Sequence, residues 1–427
     1  MNLILDKHLH SKNGVTRFVS LCVLLLTLGT SIPVDAQIYN GPILRCRGSL
    51  DNSYNTFTKT KKGRVAFLGG SITYMHGWRE MVMKNLTKRY PDTQFDFVNA
   101  GIPSIGSVPD AFRLDHDVLS KGDIDLLFVE AAVNDNGNEK TGASRLKGME
   151  GVIRHTLMAN PNTDIILLDF VFQPFVDMLT KGQEPDVILT HERVANHYLV
   201  PSIRLDLDIF RRLQKGEFTW AQFGGTHPKP FGHSYYAAAI ERLFDSMLIN
   251  PKASKPHEIP EEPLNRASYY KGQFLDIHTI KLAKGWEIDE MWDAPEVIQQ
   301  KSDKANSIDP ANDYVRVTTR KGFSKVPMLV ATKPNKKLKF TFEGNAIGIF
   351  CVAGPSAGII AYRIDHQPWR EYDTFTQWSN RLYIPRLYVL GDRLESGNHT
   401  LEMYMKEAHN PKSKGSTLQI RQFVVNK

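Results

Sequence analysis

Cysteine is nearly missing from this 427-residue chain, which has only Cys22, Cys46 and Cys351. No Cys/His cluster stands at zinc-ligand spacing, so a structural metal is not indicated. Long hydrophobic runs are missing too. The longest, Phe18 to Leu28, has about eleven residues, against roughly 20 for a relaxed membrane span. That argues against stable membrane insertion. Charge is dispersed, and the short basic group Lys333 to Lys337 reads as a solvated turn. A net charge of +7 permits contact with an acidic polymer, but no motif supports nucleic acid as a partner. Internal repeats and low-complexity tracts are absent as well.

Residues 1–36 have the layout of a secretory leader. Lys7, Lys12 and Arg17 precede the apolar run, and Val34, Asp35 and Ala36 offer a small-residue cleavage site. A periplasmic or secreted protein, cut near Ala36, is expected. An uncleaved anchor is the rival reading. Without the leader the charge is about +6, the +7 of the whole chain less the leader's excess of one. Cys46 and Cys351 then remain, either as a disulfide or as two buried thiols.

From Arg64 to about Asn250 short apolar runs alternate with amphipathic stretches. Val65 to Leu68, Phe95 to Val98, Ile124 to Val129 and Asp164 to Asp169 read as buried strands. Gly77 to Tyr90 has helical spacing, and Ala111 to Leu119 is a short helix candidate. Continuous apolar strands between helices imply a three-layer α/β fold with a parallel sheet covered on both faces. Prolines 251, 256, 260 and 263 mark a linker over 251–268. Beyond it, short alternating strands punctuated by turns imply an antiparallel β-sandwich over 269–427. The domain expectation is therefore a leader, an α/β domain over 37–250, the linker and the sandwich.

Several polar residues follow the expected strand ends, where parallel sheets bind ligands. Ser71, in Gly69-Gly70-Ser71-Ile72-Thr73, is either a turn-capping serine or a nucleophile. His227, between a glycine-rich loop and Pro228, could serve as its base. Asn134 follows the most apolar strand, and its amide could donate to a developing negative charge; its bland role is to tie down the loop, a role that also suits Asp135. Glu130 is either salt-bridged or a site carboxyl with a raised pKa. His233 is a secondary candidate with a packing role as its alternative. Arg113, Asp115 and Asp117 could meet a polar substrate or simply line a solvated helix face.

Taken in order, Gly69 to Thr73, Asn99 to Gly106, Val133 to Asp135 and His227-Pro228 resemble the blocks of the SGNH (GDSL-like) hydrolases. The resemblance covers about residues 62–248. It looks closest to bacterial exported members with an appended β-domain, and it implies a flavodoxin-like sheet. Carried over, Ser71 would be the nucleophile and His227 the base. The oxyanion would be held by the amide of Ser71, by the Asn134 side chain and by a second-block amide. The family places a glycine at that second-block position, whereas this chain has Ser104 there and Gly106 two residues on. The family also usually has Asp three residues before the histidine, where this chain has Gly224. A Ser–His dyad, a distant carboxylate such as Glu130 or Glu217, or lost esterase activity would each fit that departure.

Export, a polar site and an accessory β-domain together imply an acylated polysaccharide or oligosaccharide as substrate. The aromatic loop with Trp369, Tyr372, Phe375 and Trp378 could stack on sugars or pack in the sandwich core. The expected activity is an O-acyl (acetyl) esterase needing no metal or organic cofactor. The alternatives are a carbohydrate-binding protein with a degenerate hydrolase domain, and hydrolysis of a glycosidic or sulfate ester bond on the same fold.

Overall fold

The inner parallel strands form where apolar residues run together, because both faces of the sheet are covered there, whereas the edge strand Gln94–Gly101 alternates apolar with polar residues. In the computed structural model, which describes residues 41–139, 141–295 and 319–427, the parallel strands are β2 (Lys62–Gly69), β3 (Gln94–Gly101), β4 (Leu126–Val129), β5 (Asp164–Leu168) and β6 (Ser202–Ile203). The short β1 (Leu44–Arg45) closes the far edge, antiparallel to β6. The sheet order is β1-β6-β5-β4-β2-β3. Its parallel part therefore reverses direction of build between β2 and β4, the switch point at which such sheets open a crevice. The expected three-layer α/β class is observed. The leader and its cleavage site lie outside the described residues.

Two apolar layers cover the sheet. On one face the helices Trp78–Arg89, Leu205–Gln214 and Pro230–Met247 pack Trp78, Val82, Tyr236 and Ile240 onto Phe67 and Phe128. On the other, the helices Ser107–Asp117, Gly142–Ala159 and Asp186–His197 pack Phe112, Met149 and Val194 onto Leu68 and Val129. Buried aromatic side chains such as Trp78 each contribute about 1.5–3 kcal/mol or more through area removed from water.

Residues 251–268 contain no helix or strand, yet they are firmly bonded to the α/β part. His257 Nε2 meets Asp164 at 2.8 Å, and the Asn265 amide donates to Glu150 at 2.9 Å. After them come β7 (Gly272–Leu275), β8 (Trp286–Trp292), β9 (Val326–Ala331), β10 (Leu338–Glu343), β11 (Ala346–Ala353), β12 (Ile359–Ile364), β13 (Arg370–Asp373), β14 (Ile384–Asp392), β15 (Asn398–Met405) and β16 (Gln419–Asn426). They build an antiparallel sheet in the order β10-β15-β12-β13 and a second in the order β14-β11-β16-β9-β8, with β7 beside β16. Leu338, Leu401 and Met403 of the first meet Ile347, Ile349 and Phe423 of the second across one apolar core.

This β-region does not hang free on the linker. The core that covers one face of the α/β sheet continues through Phe112 and Tyr269 to Phe350, Val352 and Val424, and the described residues all fall in one compact unit. Phe112 and Tyr269 pack with ring centroids 4.7 Å apart. Asp392 accepts from Tyr269 Oη at 3.0 Å and also holds Lys147. No disulfide joins Cys351, buried in β11, to Cys46. Among the described residues no helix is long and apolar enough to cross a membrane.

Candidate active site

Three neighbouring strands, β4, β2 and β3, deliver the polar residues of the first three blocks to one edge of the sheet. Beyond β2 the chain turns through Gly70 into the helical turn Ser71–Tyr74. The first amides of such a turn have no partner within it. Neighbouring groups secure the turn: Trp78 Nε1 donates to the Ile72 carbonyl at 3.0 Å and Arg79 Nε to the Thr73 carbonyl at 2.6 Å. His227 arrives from the loop that precedes the helix Pro230–Met247.

Ser71 Oγ and His227 Nε2 lie 2.8 Å apart, within hydrogen-bond reach for proton transfer. With Nε2 accepting from the hydroxyl, a neutral ring carries its proton on Nδ1. Among the described residues no group hydrogen-bonds to Nδ1. The surrounding protein and the positive charge of Arg320 push the His227 pKa below the ordinary imidazole value. The neutral form is the one that can act as a base.

Gly70 is where the name-giving motif has Asp. The Asn134 amide nitrogen occupies the place of a side chain there, 2.0 Å from where a Cβ would stand. Glycine at 70 thus lets the Asn134 amide sit against the Ser71–Tyr74 turn. Glu130 does not approach His227. Buried at the end of β4, its Oε1 accepts from the Gly70 amide at 2.6 Å and from Thr73 Oγ1 at 2.8 Å. Burial raises its pKa to about 7. Glu217 likewise makes no bond to the imidazole; its carboxylate is engaged by Arg212 at 2.7 Å.

The second block follows β3. Ser104 has φ 76°, a left-handed conformation that costs a non-glycine residue about 1–2 kcal/mol. Its carbonyl accepts from Asn138 Nδ2 at 3.0 Å and from Arg386 Nη1 at 2.8 Å, and its hydroxyl from Arg320 Nε at 3.2 Å. Gly106 caps the helix Ser107–Asp117. The buried Asp135 ties that helix start down, accepting from the Ser107 amide at 2.9 Å and pairing with His191 at 3.0 Å.

The remaining candidates have structural positions. His233 is buried against Gly77, with both ring nitrogens unpartnered, and burial lowers its pKa to about 4. Arg113 is wholly buried between Asp110 and Asp117 and donates to the Ala100 carbonyl at 2.6 Å. It forms neither a solvated face nor a substrate contact. In the aromatic loop, Trp378 and Trp369 both remain exposed, the latter with the Arg363 guanidinium 4.9 Å from its ring. Sequence reasoning missed Arg79, Arg320 and Arg386. Arg79 stands eight residues from the serine, inside a helix where an arginine looks solvated. The other two come from the β-region.

Residues 67–235 match the model of the GDSL-like Lipase/Acylhydrolase family. No curated protein matches the chain. Among solved structures, a two-domain esterase (CEX) active on acetylated mannans superposes with a TM-score of 0.67 at 18% identity, covering 90% of this chain and 97% of that one. The same enzyme co-crystallised with mannopentaose gives 0.66 at 19% identity over the same shares. An acetyl xylan esterase, AlAXEase, matches 42% of this chain and 98% of its own, with 19% identity and a TM-score of 0.37. The two mannan-esterase structures thus share the two-part architecture over nearly the whole chain. Residues 67–235, with their ordered blocks and the sheet that carries them, are thus the part of this chain that is similar to the GDSL-like Lipase/Acylhydrolase family.

Proposed function

We propose that the protein is an exported esterase that removes O-acyl groups, chiefly acetyl, from a polysaccharide or oligosaccharide. The observation that carries this reading is the 2.8 Å contact between Ser71 Oγ and His227 Nε2 at the mouth of the sheet. The whole-chain likeness to an esterase active on acetylated mannans points to an acetylated glycan.

In this mechanism Ser71 Oγ attacks the ester carbonyl carbon and its proton passes to His227 Nε2. The carbonyl oxygen gains the negative charge, held by the Ser71 amide, the Asn134 side chain and an amide of Ser104 or Gly106. Collapse expels the sugar oxygen, which takes the proton from His227 and leaves an acetyl-serine. Water, deprotonated by the same imidazole, attacks the acetyl-serine; acetate leaves and Ser71 regains its proton. Among the described residues no carboxylate is bonded to the ring, and in this reading the centre works as a Ser–His dyad. No step calls for a metal or organic cofactor, and an acylated glycan is the only partner the reaction needs.

The test is acetate release from acetylated mannan and acetylated xylan. Ser71→Ala and His227→Ala should each lower kcat by on the order of 10⁴-fold or more. Full activity in the Ser71→Ala protein would overturn the mechanism. The unbonded Nδ1 favours one second reading, carbohydrate binding without turnover. A serine-directed phosphonate separates the two, because it labels Ser71 only where His227 activates it. Export rests on the leader, and N-terminal sequencing of protein recovered outside the cytoplasm should begin near Gln37.

A further inference from the structure

The turn that would supply the second-block oxyanion amide is held by groups from both parts of the chain. Ser104 adopts the left-handed conformation, which disfavours a residue with a Cβ. Three bonds fix it there. Asn138, from the α/β part, donates to the Ser104 carbonyl at 3.0 Å. Arg386, on β14, donates to the same carbonyl at 2.8 Å. Arg320, in the segment before β9, donates to the hydroxyl at 3.2 Å. Thr319 in turn donates to the Tyr383 carbonyl at 2.8 Å, fastening the Arg320 segment to the start of β14. Two of the three bonds to Ser104 thus come from the β-region.

We infer that Arg386 and Arg320 are positioning residues for the oxyanion hole, so that the β-region completes the catalytic site as well as any surface for glycan. This rests on the esterase reading above. A glycine would take the left-handed turn unaided; with serine in its place, the bonds from Arg386 and Arg320 hold the carbonyl and hydroxyl so that the amide keeps its direction. An oxyanion donor displaced by about an ångström loses much of its effect, on the order of 10²-fold in rate.

A module that only binds glycan and a module that shapes the oxyanion hole differ on a small substrate. Arg386→Gln should lower kcat for p-nitrophenyl acetate by roughly tenfold to a hundredfold with KM little changed. Arg386→Lys, which can still donate to the carbonyl, should recover part of the loss. In a Ser104→Gly background the Arg386→Gln penalty should shrink severalfold, since glycine holds the turn without help. Arg320→Gln gives the same kcat-against-KM split if Arg386→Gln does not fold.

An unchanged kcat on the small ester, with KM raised only for acetylated glycan, would overturn the inference. So would an equal penalty with and without Ser104→Gly. The rate of phosphonate labelling of Ser71 is read in parallel. A wild-type protein that labels but releases no acetate defeats the substrate reading alone, and the effect of Arg386→Gln on labelling still decides the role of the arginine.

Discussion

The backbone nitrogen of Lys229 stands 2.3 Å from the point where a Cβ at residue 224 would begin. Gly224 itself has φ 107° and closes the short helix Trp220–Phe223, its amide bonded to the Trp220 carbonyl at 3.0 Å. The loop that brings His227 to Ser71 therefore has no room for a side chain three residues before the histidine. Gly224→Asp should fail to rebuild a triad. Its positive φ alone costs about 1–2 kcal/mol, and the collision displaces the His227 loop. The expected result is a lower melting temperature together with a fall in kcat. A rise in kcat would show that the loop can rearrange to seat the acid.

Arg320 gives a pH signature. The surrounding protein and the guanidinium charge both disfavour imidazolium at His227, so its pKa lies below the ordinary value of about 6.5. The base is active when neutral, and activity should rise with pH through that lowered pKa. Arg320→Gln removes one of the two causes and should shift the acid limb of kcat/KM to higher pH. The limb of the unmodified protein should lie below pH of about 6.5. Profiles of kcat/KM on a small acetyl ester check both the position and the direction.

The sheet was legible because its strands announce themselves locally. Val65 to Leu68 and Ile165 to Leu168 are unbroken apolar runs, and they appear within β2 and β5. Ser71, Asn134 and His227 were legible through glycine turns, strand ends and block order, which are short-range features. The two-residue strands β1 and β6 carry too few residues for any period to show. Arg386 lies 282 residues from Ser104 and Arg320 lies 216 away. Neither has a periodic or motif context, since their partner is fixed by how the β-region packs. The prolines at 251–263 marked a linker without showing its path, which the tertiary bonds of His257 and Asn265 to Asp164 and Glu150 set.

Glu130 supports the nucleophile turn from below. Gly70 N–H and Thr73 O–H both donate to its Oε1, and removing that acceptor leaves two buried donors unsatisfied. Glu130→Ala should therefore cost about 2–3 kcal/mol or more. Glu130→Gln keeps a carbonyl acceptor and should cost much less. Wild type and the Gln protein also differ with pH. Burial raises the folded pKa to about 7, above the unfolded value, so the folded state favours the neutral acid. That stabilisation is complete below about pH 4.3 and is lost as pH rises through about 7. Urea midpoints should show the Gln protein gaining on the wild type across that window.

His233 acts in the opposite sense. Its ring is buried against Gly77 with neither nitrogen bonded, and burial brings its pKa down to about 4. The folded state then favours the neutral ring. The contribution to stability is whole above the unfolded pKa of about 6.5 and drains away as pH falls through about 4. Replacing the ring with an apolar one removes a group that must stay uncharged in the core. His233→Phe should flatten the stability curve between those two pH values while kcat on a small ester stays within about twofold, since no reacting atom touches His233. Urea midpoints at pH 7.5, 6 and 4.5 would read the slope. A large fall in kcat, with the acid slope unchanged, would move His233 from packing into the chemistry of the site.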